Sequence, residues 1–390
     1  MKWKFYSLAF VAGMSILTAC SSDDNNDNGG NGGNGNGNEI ENGTILKGTV
    51  TSDVTLAAGN TYKLSGEYIV EEGATLHIEE GVKIIAVYDD IADYILVKQG
   101  GKINAVGTPD KPIVMTSEKE EPGAWGGIHI CGRAHTNAEG GKGSSEIGGA
   151  VYGGNDDADN SGTLQYIRLE YTGFAFDEEH EANGISFYGV GNGTIVDHCQ
   201  AYKGSDDGFE FFGGSVNVSN LVAVSCSDDS FDWTEGWNGK GTNLVAYQEA
   251  ESTLGYDCDC LMECDNNGSN NAATPVAHPV LKNLILVGNG GSKQGIRLRA
   301  GTEVEIDNAK VCGKGQPLTV ETALTENALK NGTSKLTNIT LTSELSSKEG
   351  IYTHADFIAV TSNKVDANLS YSSFEDIKKE CSWMNGNWVK

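Results

Sequence analysis

The chain has 390 residues, of which 52 are glycine and only 6 proline. Lys and Arg total 27 against 54 Asp and Glu, a formal net charge of −27. A surface this acidic repels a phosphate backbone and an anionic lipid face, which excludes nucleic acid as a partner. At 38% hydrophobic the chain is too apolar to stay disordered, and its glycine content suits a β protein with many tight turns.

In chain order, residues 1–19 read as an export signal. Lys2 and Lys4 supply the positive start, and the apolar run Leu8–Leu17 is too short to span a bilayer. The ending Leu17-Thr18-Ala19-Cys20 resembles a lipoprotein signal box. That resemblance implies lipidation of Cys20 and attachment to a membrane through its acyl chains. Residues 20–43 follow as the lipidated cysteine and a tether. The stretch 21–38 has no apolar residue and cannot offset the cost of ordering. Its Ser22-Asp23-Asp24 resembles the signal that sends Bacteroidetes lipoproteins to the outer face of the outer membrane, which implies a cell-surface location. Removing 1–19 takes away Lys2 and Lys4 and no acids, so the mature charge is 25 − 54 = −29.

From Thr44 onward the chain shows short β-branched and aromatic runs cut by Gly, Asn and Asp. Early examples are Thr75-Leu76-His77-Ile78, Gly81-Val82-Lys83-Ile84-Ile85 and Ile95-Leu96-Val97. Self-similarity is the stronger signal. Ser205-Asp206-Asp207-Gly208-Phe209-Glu210-Phe211-Phe212 overlays Ser227-Asp228-Asp229-Ser230-Phe231-Asp232-Trp233-Thr234 at an offset of 22 residues. Asn183–Gly189 reads as the preceding copy, Asp259–Asp265 as the following one, and Gly295–Arg299 as the next. A repeat of strands and turns near this length predicts a solenoid of stacked β-coils, in which each copy buries its apolar face only against its neighbours. Asparagine precedes a second strand at 220, 243, 283, 308 and 338, which predicts a ladder of side-chain amides inside the coils.

Pro112–Ser117 followed by Trp125–Ile130 resembles the opening coils of bacterial β-helix proteins with the pectin-lyase-like fold. The resemblance covers about residues 44–345. It implies a right-handed parallel β-helix and says little about chemistry. We expect one β-helix domain over 44–370, of roughly 10–13 coils stacked near 4.8 Å. Residues 371–390 should form a C-terminal cap, because Phe374, Ile377 and Lys378 have helical spacing.

Strand alternation then separates core from surface. Phe209, Phe231, Met262 and Ile296 should point inward, as should Phe211, Trp233, Cys264 and Leu298. Glu210, Asp232, Glu263 and Arg297 should form one outward column, with Phe212, Thr234, Asp265 and Arg299 in the next. Asp206, Asp207, Asp228 and Asp229 lie in the preceding turns. Like charges stacked in this way repel, so the strip calls for a bridging cation or a protonated acid. Oxygen-rich ligands suit Ca²⁺, with Asp206, Asp207, Asp228 and Asp229 as the expected ligands. Glu210, Asp232, Glu263 and Arg297 are the catalytic candidates, while Trp237, Asp265 and Arg299 are the binding candidates, with Trp237 as a sugar-stacking platform.

The Asp206-Asp207 pair resembles the double aspartate of polygalacturonase-type hydrolases, but no Gly-His-Gly follows it. A lyase would need a base beside Ca²⁺, a role open to Arg297. Two functions remain: binding of a glycan or other surface ligand along the acidic face, and polysaccharide cleavage by a hydrolase or a calcium-dependent lyase. The bland alternative, turn-forming aspartates and solvated surface acids, stands beside both. Among the cysteines after Cys20, Cys258 is expected to pair with Cys260 or with a neighbouring coil. His129, Cys131 and His135 are expected to be structural.

Overall fold

The computed structural model describes residues 38–89, 91–176 and 181–390. The export signal, the lipid-anchor reading of Cys20 and the tether through residue 37 lie outside the described residues. No helix among the described residues is long and apolar enough to cross a membrane.

Short runs of alternating apolar residues cannot bury a face alone, and here they stack into three parallel ladders. One runs from 48–50 through 68–70, 94–97, 128–131, 185–188, 209–212, 231–234, 262–264, 296–298 and 318–320 to 346–347. A second begins with Asn38–Ile40 against Val54–Leu56 and continues through 75–78, 102–106 and 162–165 to 335–337. The coils therefore begin six residues before Thr44. The third ladder runs from 45–46 to 364–365. The hairpin of Gly143–Ser144 with Val151–Tyr152 is the antiparallel exception among the named strand pairs. This is a parallel β-helix, as the repeat and its resemblance implied.

The inward columns fall where alternation puts them. Phe209, Phe231, Met262 and Ile296 are buried in the central core, together with Phe211, Trp233, Cys264 and Leu298. Phe187 stacks on Phe211 at 5.0 Å, and Phe209 stacks on Phe231 at 5.6 Å. Trp237 is corrected: it is 1% exposed, lies 4.2 Å from the Phe211 ring, and donates its indole N–H to Val216 O. The turn after strand 231–234 folds back across the coil, so this side chain fills core and offers no face to a sugar.

The asparagine ladder forms, but on the outside. Asn220, Asn243, Asn283, Asn308 and Asn338 have φ between 55° and 63°, a left-handed bend that separates the second ladder from the third. Asparagine tolerates that conformation better than most residues. The amides of 243, 283 and 308 each donate to the preceding asparagine at 2.8–3.0 Å. Asn220 donates to Asp197 and Asn338 to Asp307, which closes both ends.

The C-terminal segment carries the expected helix, Phe374–Glu380. It lies along the flank of the third ladder rather than over the end of the stack. Ile377, Cys381, Met384 and Trp388 are buried against Val222, Val224, Val245, Ile285 and Val287, which would otherwise face water. Lys390 at the end of the chain reaches Glu170 at 3.1 Å.

Candidate functional site

The outward residues of the first ladder stand in single file. In register they read Leu96, His129, Ser186, Glu210, Asp232, Glu263, Arg297 and Thr319. The turns that feed these strands add a second file. Asn183, Asp207, Asp229 and Cys260 occupy equivalent places, each two residues before the one that opens its strand. The turn is tight enough that a Cβ at Gly184 would collide with the Gly208 carbonyl oxygen.

The second aspartate of each pair is partly a turn linker. Asp207 Oδ1 accepts the backbone N–H of Asp229 at 2.8 Å, and Asp229 Oδ1 accepts that of Cys260 at 2.6 Å. Their remaining oxygens lie among the acids of the strand column. Oxygens of Asp207, Glu210 and Asp232 fall within 4.8 Å of one another, as do those of Asp229, Asp232 and Glu263, and those of Asp206, Asp207 and Asp228. Asp207 and Asp232 each belong to two of these overlapping groups, and together the three groups span adjacent coils.

Charge divides the strip in two. At one end Arg297 binds Glu263 at 2.8 Å and Glu321 at 3.4 Å, while Arg299 binds Glu263 at 2.6 Å and Asp265 at 2.7 Å. Glu263, Asp265, Arg297 and Arg299 thus satisfy one another, and Arg297, permanently protonated and held between two carboxylates, is no free base. Glu321 completes this network. Sequence reasoning missed it, although one 22-residue step from Arg299 lands on it.

At the other end Asp206, Asp207, Glu210, Asp228, Asp229 and Asp232 have no ion-pair partner among the described residues. Burial pushes Glu210, Asp207, Asp229 and Asp232 well above the usual carboxylate range, and their neighbours' charges add to it. Burial and the nearby Asp228 raise Asp206 to about 7. Glu210 accepts from Asn183 Nδ2 at 2.6 Å. Asp232 Oδ1, Asn183 Oδ1 and Ser230 Oγ are buried without a hydrogen-bond partner among the described residues. Asn183 heads the preceding copy in the sequence, but its place at the site was not foreseen; the same turn position holds aspartate in the two following coils.

A wall stands over one side of the strip. The insertion between strands 128–131 and 162–170 packs Ile147, Ala150 and Tyr152 onto Tyr188 and Phe212. Phe212, expected on an open outward column, is therefore covered. Tyr152 and Thr136 both donate to Glu235 at 2.7 Å, which fixes the insertion to the next coil. The open side is at the turns, where Glu181, Ser205, Ser227, Asp228, Asp259 and Lys293 line a pocket of about 220 Å³.

All eight described cysteines are buried thiols, so the expected Cys258 disulfide is absent. Residues two apart in extended backbone lie about 6.6 Å apart, near the upper limit for a disulfide. Burial pushes the Cys258 thiol up to about 12. His129 is buried with its ring bonded to Gly126 O at 2.7 Å, whereas His135 bonds Asp157 and Gly236 O elsewhere. They form no common metal corner.

Stacked parallel coils joined in three ladders, with one outward file that is largely polar, define a parallel β-helix. The pectate-lyase-like β-helix domain model matches residues 48–390, and the chain belongs to that family. A search of curated proteins and a search of solved structures each returned no match.

Proposed function

We propose that this protein is an exported, lipid-anchored β-helix that binds a glycan at its acidic strip through Ca²⁺. Family membership supports a carbohydrate-related role. One observation carries the finer reading: Asp207, Glu210, Asp229 and Asp232 converge in overlapping three-oxygen groups, with no cationic side chain paired to any of them among the described residues. Such an arrangement needs protons or a cation, and at neutral pH a hard divalent ion with carboxylate ligands is the economical solution. Glu210 and Asp232 would supply strand-borne ligands, Asp207 and Asp229 turn-borne ones, and Asp206 and Asp228 the rim beside the pocket. Ca²⁺ takes six to eight oxygens, so vicinal hydroxyls or a uronate carboxylate of the sugar fit the remaining positions. Arg297 and Arg299 neutralise the far acids and bound the strip.

Calorimetric titration with oligogalacturonate and with cellohexaose, each in Ca²⁺ and in EDTA, tests this reading. Binding of at least one glycan should require Ca²⁺ and should be lost in Asp232→Asn. Equal affinity in EDTA, or no binding of either glycan, would overturn it. New reducing ends or unsaturated products that disappear in the same variant would shift the role from binding to cleavage.

A further inference from the structure

A second pocket, of about 320 Å³, lies on another side of the coils, between the outer asparagine ladder and the C-terminal segment. Its volume falls in the range of small-ligand sites. One wall is Asn243, Asn283 and Asn308, with Ile285 beside them, and the facing wall is Glu380 and Trp383.

An amide has two N–H donors and two oxygen lone pairs. In the ladder Asn243 and Asn283 each spend one N–H and one lone pair on their neighbours. Each keeps a second donor and a second acceptor, repeated every coil step of about 4.8 Å. Adjacent hydroxyls of a pyranose ring offer the same donor and acceptor pair in return. Trp383, half-buried, supplies a flat apolar ring for the sugar's C–H face. Charge in the pocket cancels locally: Lys310 Nζ sits 2.5 Å from Glu380 Oε1, and Tyr371 donates to the other carboxylate oxygen at 2.8 Å. The wall is also fixed in advance, because Ile377, Cys381, Met384 and Trp388 are buried against the coils on either side of Trp383. A preformed site loses less entropy on binding.

We infer that this pocket binds a neutral saccharide of one or two pyranose units, held by the amide ladder and stacked on Trp383. The inference does not rest on the acidic strip or on calcium. The test is done in EDTA, with cellobiose, lactose and N,N′-diacetylchitobiose as probes. Intrinsic fluorescence and ligand-observed NMR report binding. At least one probe should bind saturably below about 10 mM. Trp383→Ala should abolish that binding. Asn308→Gly keeps the left-handed backbone (φ 63°) and leaves the buried segment intact, and it should weaken binding by about fivefold or more. Val106→Ala, exposed on the second ladder and outside both sites, should leave that binding unchanged. Failure of all three probes to saturate, or unchanged affinity in both pocket variants, would overturn the assignment.

Discussion

The unpaired carboxylates give a thermal signature with a defined sign. Asp206, Asp207, Glu210, Asp229 and Asp232 all have native pKa values raised by burial and by one another. The native state then holds protons that the unfolded chain releases, so stability falls as pH rises from the ordinary carboxylate range through the native values. For Asp206 that window ends near 7. In EDTA the protein should melt at a lower temperature at pH 8 than at pH 5.5. A cation that binds only the folded state reverses this. At a concentration of about 100 times its Kd it adds about 2.7 kcal/mol. The described coils and C-terminal segment run from Asn38 to Lys390. At about 2.1 cal/mol/K per residue, their roughly 350 residues carry about 0.75 kcal/mol/K of unfolding entropy, so Ca²⁺ should raise Tm by about 4 °C at pH 8. The variant to pair with it is Glu210→Gln with Asp232→Asn, which removes the two strand-borne acids that no arginine holds. That variant should show a higher Tm in EDTA at pH 8 and no response to Ca²⁺. Differential scanning calorimetry reads both quantities. A wild-type Tm indifferent to Ca²⁺ at pH 8, or a variant that keeps the full shift, refutes the reasoning.

Three further outcomes follow from named contacts. Trp233→Ala removes a ring that is 1% exposed and leaves the Thr302 hydroxyl without its 3.0 Å donor, so urea unfolding should show a loss of about 3–5 kcal/mol. Glu210→Gln should cost little by comparison, and equal losses would mean that the two columns are misassigned. Asp93 is buried, with one oxygen unpartnered and burial raising it to about 6 from an ordinary 3.8. Its penalty grows between those pH values and is complete above them, so Asp93→Asn should stabilise at pH 7.5 by up to about 3 kcal/mol and not at pH 3.5; thermal melts at the two pH values decide it. Deleting 371–390 should expose Val222, Val245, Ile285 and Val287, giving new binding of a hydrophobic dye and a lower Tm; an unchanged dye signal would contradict the packing described.

The register of the core was legible because alternation and a 22-residue step are local facts: Phe209 over Phe231, and Glu210 over Asp232, can be aligned by eye. What failed depends on the third dimension of a coil. Trp237 follows a polar strand end and reads as exposed, yet the next corner turns it inward onto Phe211. The asparagines could be counted, but their side of the wall could not, since that follows from a positive φ that places the amide outside. Phe212 alternates outward correctly and is covered by an insertion whose hairpin, 143–144 with 151–152, has no repeat signal to announce it. The arginine end of the strip was visible as two residues, but its neutralisation was not, because Glu321 belongs to a coil where the repeat had faded.

Because every coil contributes one residue to the outward file, the strip can be edited a whole rung at a time. Excising 205–226 would join Gly204 to Ser227, remove Glu210 with its turn pair, and set Ser186 beside Asp232 in unchanged register. Duplicating the same stretch would lengthen the acidic file by one step. In such a molecule, the number of carboxylates in the strip behaves as a digital quantity, adjustable by in-frame repeats rather than by point substitution.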